Sequence, residues 1–236
     1  MEKLLEQLIG KLRKALDERL KSIVLYGSAS NRGDRDKWSD LNIFCVVDVV
    51  DRQLLAAAEP VIRWWREQSQ PAPLLMGEVE VRESTDCFSI EFHDMLERRK
   101  VLFGTDPIEG LQIDDSFYRA QVEHELRAKL IRLRQKAASA MVDPDLLIRL
   151  MAESVSTFIV LSRHVLLLAG KEAPFEKRAL VAAIEQAFGV EPTAFYTLLS
   201  LREGALKVRQ QEAGPLFDTY MKSIQAVVVA VDGMAK

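Results

Sequence analysis

Residues 23–47 read IVLYGSASNRGDRDKWSDLNIFCVV, and the fold turns on how this stretch is divided. Its two ends are short apolar runs rich in β-branched and aromatic residues, the signature of buried strands. Between them lies a polar, glycine-containing loop, ASNRGDRDKWS. The first run, residues 22–26 (SIVLY), ends in Gly27-Ser28, and the second covers Leu41 to Val47. A strand that stops at Gly-Ser lets backbone N–H groups and a hydroxyl approach an anion closely, because glycine has no Cβ to stand in the way. Eleven residues (29–39) separate Ser28 from Asp40, which opens the second strand. Alternation along a strand puts Asp40 and Asn42 on one face, beside the Gly-Ser turn. A carboxylate next to a phosphate cradle suits Mg²⁺, which takes one or two protein carboxylates and completes its shell with substrate phosphates and water.

Outward from this stretch, residues 3–19 repeat Leu4, Leu5, Leu8, Leu12 and Leu16 at helical spacing, and residues 52–68 read as a second helix. LLMGEVEV (74–81) and CFSIEF (87–92) alternate as strands do. The expectation is an α+β fold: a small mixed sheet with flanking helices over residues 1–107. An all-α helical bundle follows over 115–236. After Asp106-Pro107 five helical segments are predicted, at about 116–140, from Asp143-Pro144 to near Gly170, about 176–188, from Pro192 to near Gly204, and from Pro215 onward. Short connections between such helices imply antiparallel packing.

The Gly27-Ser28 turn, the spacer and Asp40 resemble the hallmark of the nucleotidyltransferase superfamily, which includes DNA polymerase β and the aminoglycoside and minimal nucleotidyltransferases. That hallmark is Gly-Ser, about ten residues, an acidic–apolar–acidic triplet, and a third acid on a later strand. The run HDMLERRKVLFGTDP (93–107) is also similar to the segment closing this domain in bacterial members. The resemblance spans about residues 20–107. It implies a Mg²⁺-dependent enzyme that takes a nucleoside triphosphate such as ATP and transfers the nucleoside monophosphate to a hydroxyl. The acceptor, a small molecule or a protein, is left open.

The same resemblance assigns nucleotide binding to Gly27, Ser28, Arg32 and Ser39, metal binding to Asp40, Asn42 and Glu91, and catalysis to Asp40 and Glu91. Glu91 takes the place of the third acid, in the run CFSIEF where Ser89, Glu91 and His93 would share a strand face. Glu78 and Glu80 are the other candidates. One position departs from the pattern: the triplet is Asp40-Leu41-Asn42, with an amide where the second acid belongs. An amide ligates through its carbonyl without adding charge, so a site with two metals would be reduced toward one. The alternative is a catalytically inactive regulator of the same fold that acts through nucleotide or protein binding.

Composition narrows the partners. The 236 residues carry a formal net charge of −3, which gives no electrostatic case for nucleic acid. Cys45 and Cys87, both within apolar runs, are expected as buried thiols in a reducing, cytoplasmic setting. The N-terminus has no apolar signal core, and the apolar stretch from Ser154 to Gly170 is broken by Arg163 and His164, as in a bundle helix and unlike a membrane span. His124-Glu125 lacks a second histidine at position 128 and makes no zinc site. Arg127, Lys129, Arg132, Arg134 and Lys136 form a basic row within 116–140, interleaved with acids and read as a solvated face. Trp64-Trp65 is read as packing, one ring in the core and one at its edge. The helical domain is the expected surface for a homodimer or a protein partner.

Overall fold

A computed structural model describes residues 1–30 and 41–234. The chain divides into two compact units, Met1–Ser116 and Phe117–Lys236. The first unit opens with α1 (Glu2–Leu16), whose Leu5, Leu8, Leu12 and Leu16 are buried at helical spacing. β1 (Leu20–Tyr26) and β2 (Asn42–Val47) follow, then α2 (Arg52–Glu67), β3 (Leu74–Gly77), α3 (Glu78–Glu83), α4 (Ser89–Glu97) and β4 (Arg99–Gly104). The strands form one mixed sheet in the order β3-β2-β1-β4. β1 runs antiparallel to both β2 and β4, and β2 is parallel to β3.

Both faces of the sheet are covered, which is why β1 and β2 read as continuous apolar runs. Ile23, Leu25, Ile43, Cys45 and Val47 pack against the leucines of α1 and against Leu54, Ala58, Val61 and Trp65 of α2. Val24, Phe44 and Val46 point the other way, onto Val81 of α3, Phe92 and Met95 of α4, and Ile108. Trp65 is fully buried, with its indole N–H donating to the Pro71 carbonyl at 2.9 Å, while Trp64 packs at the edge of the same cluster. Arg19 fastens the far end of β1. Its guanidinium donates to Asp48 at 3.0 Å, to the Val49 carbonyl at 2.8 Å and to Asp51 at 3.0 Å, and Asp51 in turn caps α2 through the Leu54 N–H at 2.7 Å. Gly104 pairs with Ser22 at φ +75°, and a Cβ there would lie 1.9 Å from the Lys21 carbonyl oxygen.

Two expected strands are corrected. Residues 74–81 are a strand only as far as Gly77. The Glu80 carboxylate then accepts the Gly77 N–H at 2.6 Å and starts a short helix. Residues 87–92 are not a strand: a turn leads into α4, which buries Ser89, Phe92 and Met95 at a spacing of three. The alternation of CFSIEF is thus one part of a helical stripe that continues through HDM. Cys87 is exposed in the turn before α4, against the expectation of a buried thiol, whereas burial pushes the Cys45 thiol up to about 12.

The second unit contains α5 (Tyr118–Ala140), α6 (Pro144–Leu168), α7 (Lys177–Phe188), α8 (Thr193–Arg202) and α9 (Ala213–Asp232), and no strand among its described residues. α6 packs on each of the other four. It starts where Asp143 caps the Leu146 N–H at 3.0 Å, with Pro144 in the first turn. α5 begins at Tyr118, and its N-cap residue, Phe117, makes no side-chain cap. Arg163 and His164 are both buried. The Arg163 guanidinium lies 3.8 Å over the Phe175 ring and donates to the Ala173 carbonyl, and His164 shares a 2.8 Å hydrogen bond with the Tyr118 hydroxyl. No helix among the described residues is long and apolar enough to cross a membrane.

Candidate functional site

β1 ends at Tyr26, and the chain turns away through a 3-10 segment, Gly27–Ser30. Gly27 has φ +74°, a left-handed conformation open to glycine at little cost. Its N–H donates to the Arg98 carbonyl at 3.1 Å, and its carbonyl accepts the Ser30 hydroxyl at 2.8 Å, so the turn is held from both sides. A Cβ at position 27 would stand 3.3 Å from the Asn42 side-chain nitrogen. Asn42, the first residue of β2, therefore lies against the turn. Its approach is fixed one residue earlier, where the buried Leu41 donates its N–H to the Gln70 side chain at 2.9 Å.

Tyr26 and Asn42 are directly opposed across the strand pair and so present their side chains on one face. Burial pushes the Tyr26 phenol up to about 12, and the negative charges of Glu91 and Asp94 push it the same way. Both carboxylates, one helical turn apart on α4, thus lie within electrostatic range of the last residue of β1. Glu91 reaches this end of the sheet from a helix, where a strand was expected, and Ser89 and His93 do not share its face. Ser89 is buried, and His93 meets Asp115 at 2.7 Å.

The alternative third acids sit elsewhere. Glu80 caps Gly77, and Glu78 lines a cavity of about 320 Å³ with Lys21, Arg82 and Asp106. Lys21 is the second residue of the strand that Tyr26 ends, so that cavity lies roughly 15–20 Å along β1 from Gly27. Arg32, Ser39 and Asp40 lie outside the described residues. Tyr26, Asp94 and Gln70 were not singled out in the sequence. Strand alternation places Tyr26 opposite Asn42, whereas Asp94 pairs with Glu91 only once α4 is known to be a helix.

The oxygen donors here suit a hard cation. Asn42, whose side chain lies against the Gly27 turn, offers an amide carbonyl, and Glu91 offers a carboxylate. Among the described residues no three His, Cys, Asp or Glu side chains gather as a ready-made metal cage.

No protein-family model matches the sequence, and no curated protein matches it. Among solved structures the chain is similar to spectinomycin adenyltransferase AAD(9) from Enterococcus faecialis, determined with ATP and spectinomycin. The TM-score is 0.65 at 14% sequence identity, over 98% of this chain and 99% of that one. The likeness runs from end to end and establishes the fold: a nucleotidyltransferase-type mixed sheet with a helical C-terminal part.

Proposed function

We propose that this chain is a nucleotidyltransferase that binds a Mg²⁺–nucleoside triphosphate at the Gly27 end of β1 and transfers the nucleoside monophosphate to a hydroxyl. The observation that carries the reading is the apposition of Gly27 and Asn42, in a chain whose fold matches an adenyltransferase solved with ATP over its full length. Gly27 and Ser28 hold the β- and γ-phosphates, and Arg32 and Ser39 add phosphate contacts. Asp40, Asn42 and Glu91 would hold Mg²⁺. When bound, the cation would neutralise charge developing on the triphosphate.

Glu91 accepts the proton of the acceptor hydroxyl. The hydroxyl oxygen then forms a bond to the α-phosphorus, the bond from that phosphorus to the bridging oxygen breaks, and pyrophosphate leaves. The acceptor is a small molecule or a protein.

The test is a thermal-shift panel of the four nucleoside triphosphates with and without Mg²⁺. A ligand that binds only the folded chain at a hundred times its Kd stabilises it by about 2.7 kcal/mol. A Mg²⁺-dependent rise in melting temperature is expected, and it is lost in Asp40→Ala. An unchanged rise in that variant would sink the assignment.

Asn42 favours a second reading. An amide at a ligand position leaves the site with less negative charge than the superfamily pattern carries, which suits a regulator that binds nucleotide or a protein partner without turnover. Asn42→Asp separates the two: a rise in transferase activity marks a weakened enzyme, and tighter nucleotide binding with no turnover marks the regulator. In that second case the helical unit is the surface for a partner protein or a second copy.

A further inference from the structure

The basic row on α5 is not one uniform face. Arg127 donates to Glu123 at 2.7 Å and reaches Asp232 at 3.5 Å, and Lys129 pairs with Glu125 at 3.3 Å. Arg132 and Lys136 are different: neither has a carboxylate within ion-pair distance among the described residues. Both, with Lys129, line a cavity of about 200 Å³. These three are spaced at 129, 132 and 136 and form a single helical stripe. Opposite them α6 presents Glu153, Ser154 and Thr157, also one stripe, and Leu133 and Phe158 close the floor. The Ser154 hydroxyl is already engaged with the Met151 carbonyl and the Tyr220 hydroxyl, each at 2.9 Å. It is held in place and retains acceptor capacity.

With Lys129 paired to Glu125, the two unpaired cations Arg132 and Lys136 against the one carboxylate of Glu153 leave a net positive charge over an apolar floor. Unpaired cations beside a partly dehydrated surface attract an anion more strongly than cations in open water. A guanidinium offers parallel N–H groups that match a phosphate or carboxylate, and an ammonium adds a point charge. Glu153 on the opposite wall would repel a bare anion, but it accepts a hydrogen bond from a hydroxyl on the same ligand. The geometry points to a binding site for a small hydroxylated organic phosphate between α5 and α6, with Arg132 and Lys136 on the phosphate and Glu153 and Thr157 on its hydroxyl groups. This site belongs to the helical unit alone and is independent of the nucleotide reading.

Calorimetric titration of the full chain at fixed ionic strength tests it, using glycerol 3-phosphate, inorganic phosphate and glycerol as probes, with Mg²⁺ omitted. Saturable binding of glycerol 3-phosphate is expected, tighter than that of inorganic phosphate, with none for glycerol. Arg132→Gln should weaken it by about ten- to a hundredfold, the loss of a hydrogen bond to a charged group, and Lys136→Gln by about tenfold. Both side chains are exposed, so neither variant should lower the melting temperature appreciably. Arg134→Gln, on the same helix but off the cavity, should bind as the parent does, and so should Asp40→Ala. Absence of saturable binding by either phosphate, or an equal loss in Arg134→Gln, would overturn the site. Equal affinity for the two phosphates would overturn the hydroxyl-recognising role of Glu153.

Discussion

The two faces of the sheet are built from alternate residues of the same strands, yet they end differently. Toward α1 and α2 the face is apolar along its length, Ile23 and Leu25 on β1 against Ile43, Cys45 and Val47 on β2, with Trp65 sealing it. Toward α3 and α4 it begins in the same way, with Val24, Phe44 and Val46, and then gives way to Tyr26 and Asn42 with the charges of Glu91 and Asp94 nearby. Neighbouring positions one residue apart thus do separate jobs. One face supplies folding free energy, and the other gives up part of that supply at its tip to hold polar groups. Substitutions on the two faces should therefore separate stability from ligand binding.

The largest effect expected is on the closed face. Trp65→Ala removes the biggest fully buried side chain and its hydrogen bond to Pro71, and should cost about 3–5 kcal/mol in denaturant unfolding. Whatever fraction stays folded should still respond to nucleotide. A loss of nucleotide response in folded Trp65→Ala would break the separation.

Gly27→Ala works the other way. A left-handed alanine costs about 1–2 kcal/mol, and its Cβ would press on the Asn42 amide 3.3 Å away. The fold should persist, while the Mg²⁺-dependent thermal shift falls away. Nucleotide binding at parental strength in this variant would show that the polar tip is not a phosphate site.

The smallest effect sharpens the geometry. Glu91→Gln should lower the Tyr26 phenol from about 12 toward its ordinary 10.0 but leave it above that value, because burial is the larger cause. In the parent the folded state keeps this proton more tightly than the unfolded chain does. Tyr26 therefore has no effect on stability well below pH 10, and it erodes stability as pH rises from about 10 to about 12. In Glu91→Gln the upper end of that window moves down. Tyrosine resonances followed by NMR against pH read the shift directly, and an unmoved Tyr26 would detach Glu91 from the site.

Much of this arrangement was legible in the sequence. β1 and β2 are short, apolar and bounded by polar turns, so burial on both faces left no competing period. Four of the five helices of the second unit were marked by proline starts or glycine stops, such as Asp143-Pro144 and Gly189; α5 has neither. Residues 87–92 misled because six residues are too few to distinguish alternation from a helical stripe. Ser89, Phe92 and Met95 decide it, and they lie partly beyond the apparent strand. The same error hid Asp94, a neighbour of Glu91 only on a helix. Cys87 was misjudged along with its strand. In the basic row, charge alone could not separate Arg127, which meets two acids, from Arg132, which meets none among the described residues. That division depends on which way each residue faces, and so on the packing of α5 against α6 and α9.

Gly104 carries a consequence for inheritance. Every single-base missense change in a glycine codon adds a Cβ, and at this position that atom would fall 1.9 Å from the Lys21 carbonyl oxygen. The clash is with backbone, so the chain itself must shift where β4 pairs with β1. Variants at codon 104 should therefore lower activity through lost stability, at the end of β1 remote from Gly27, with no candidate site residue altered.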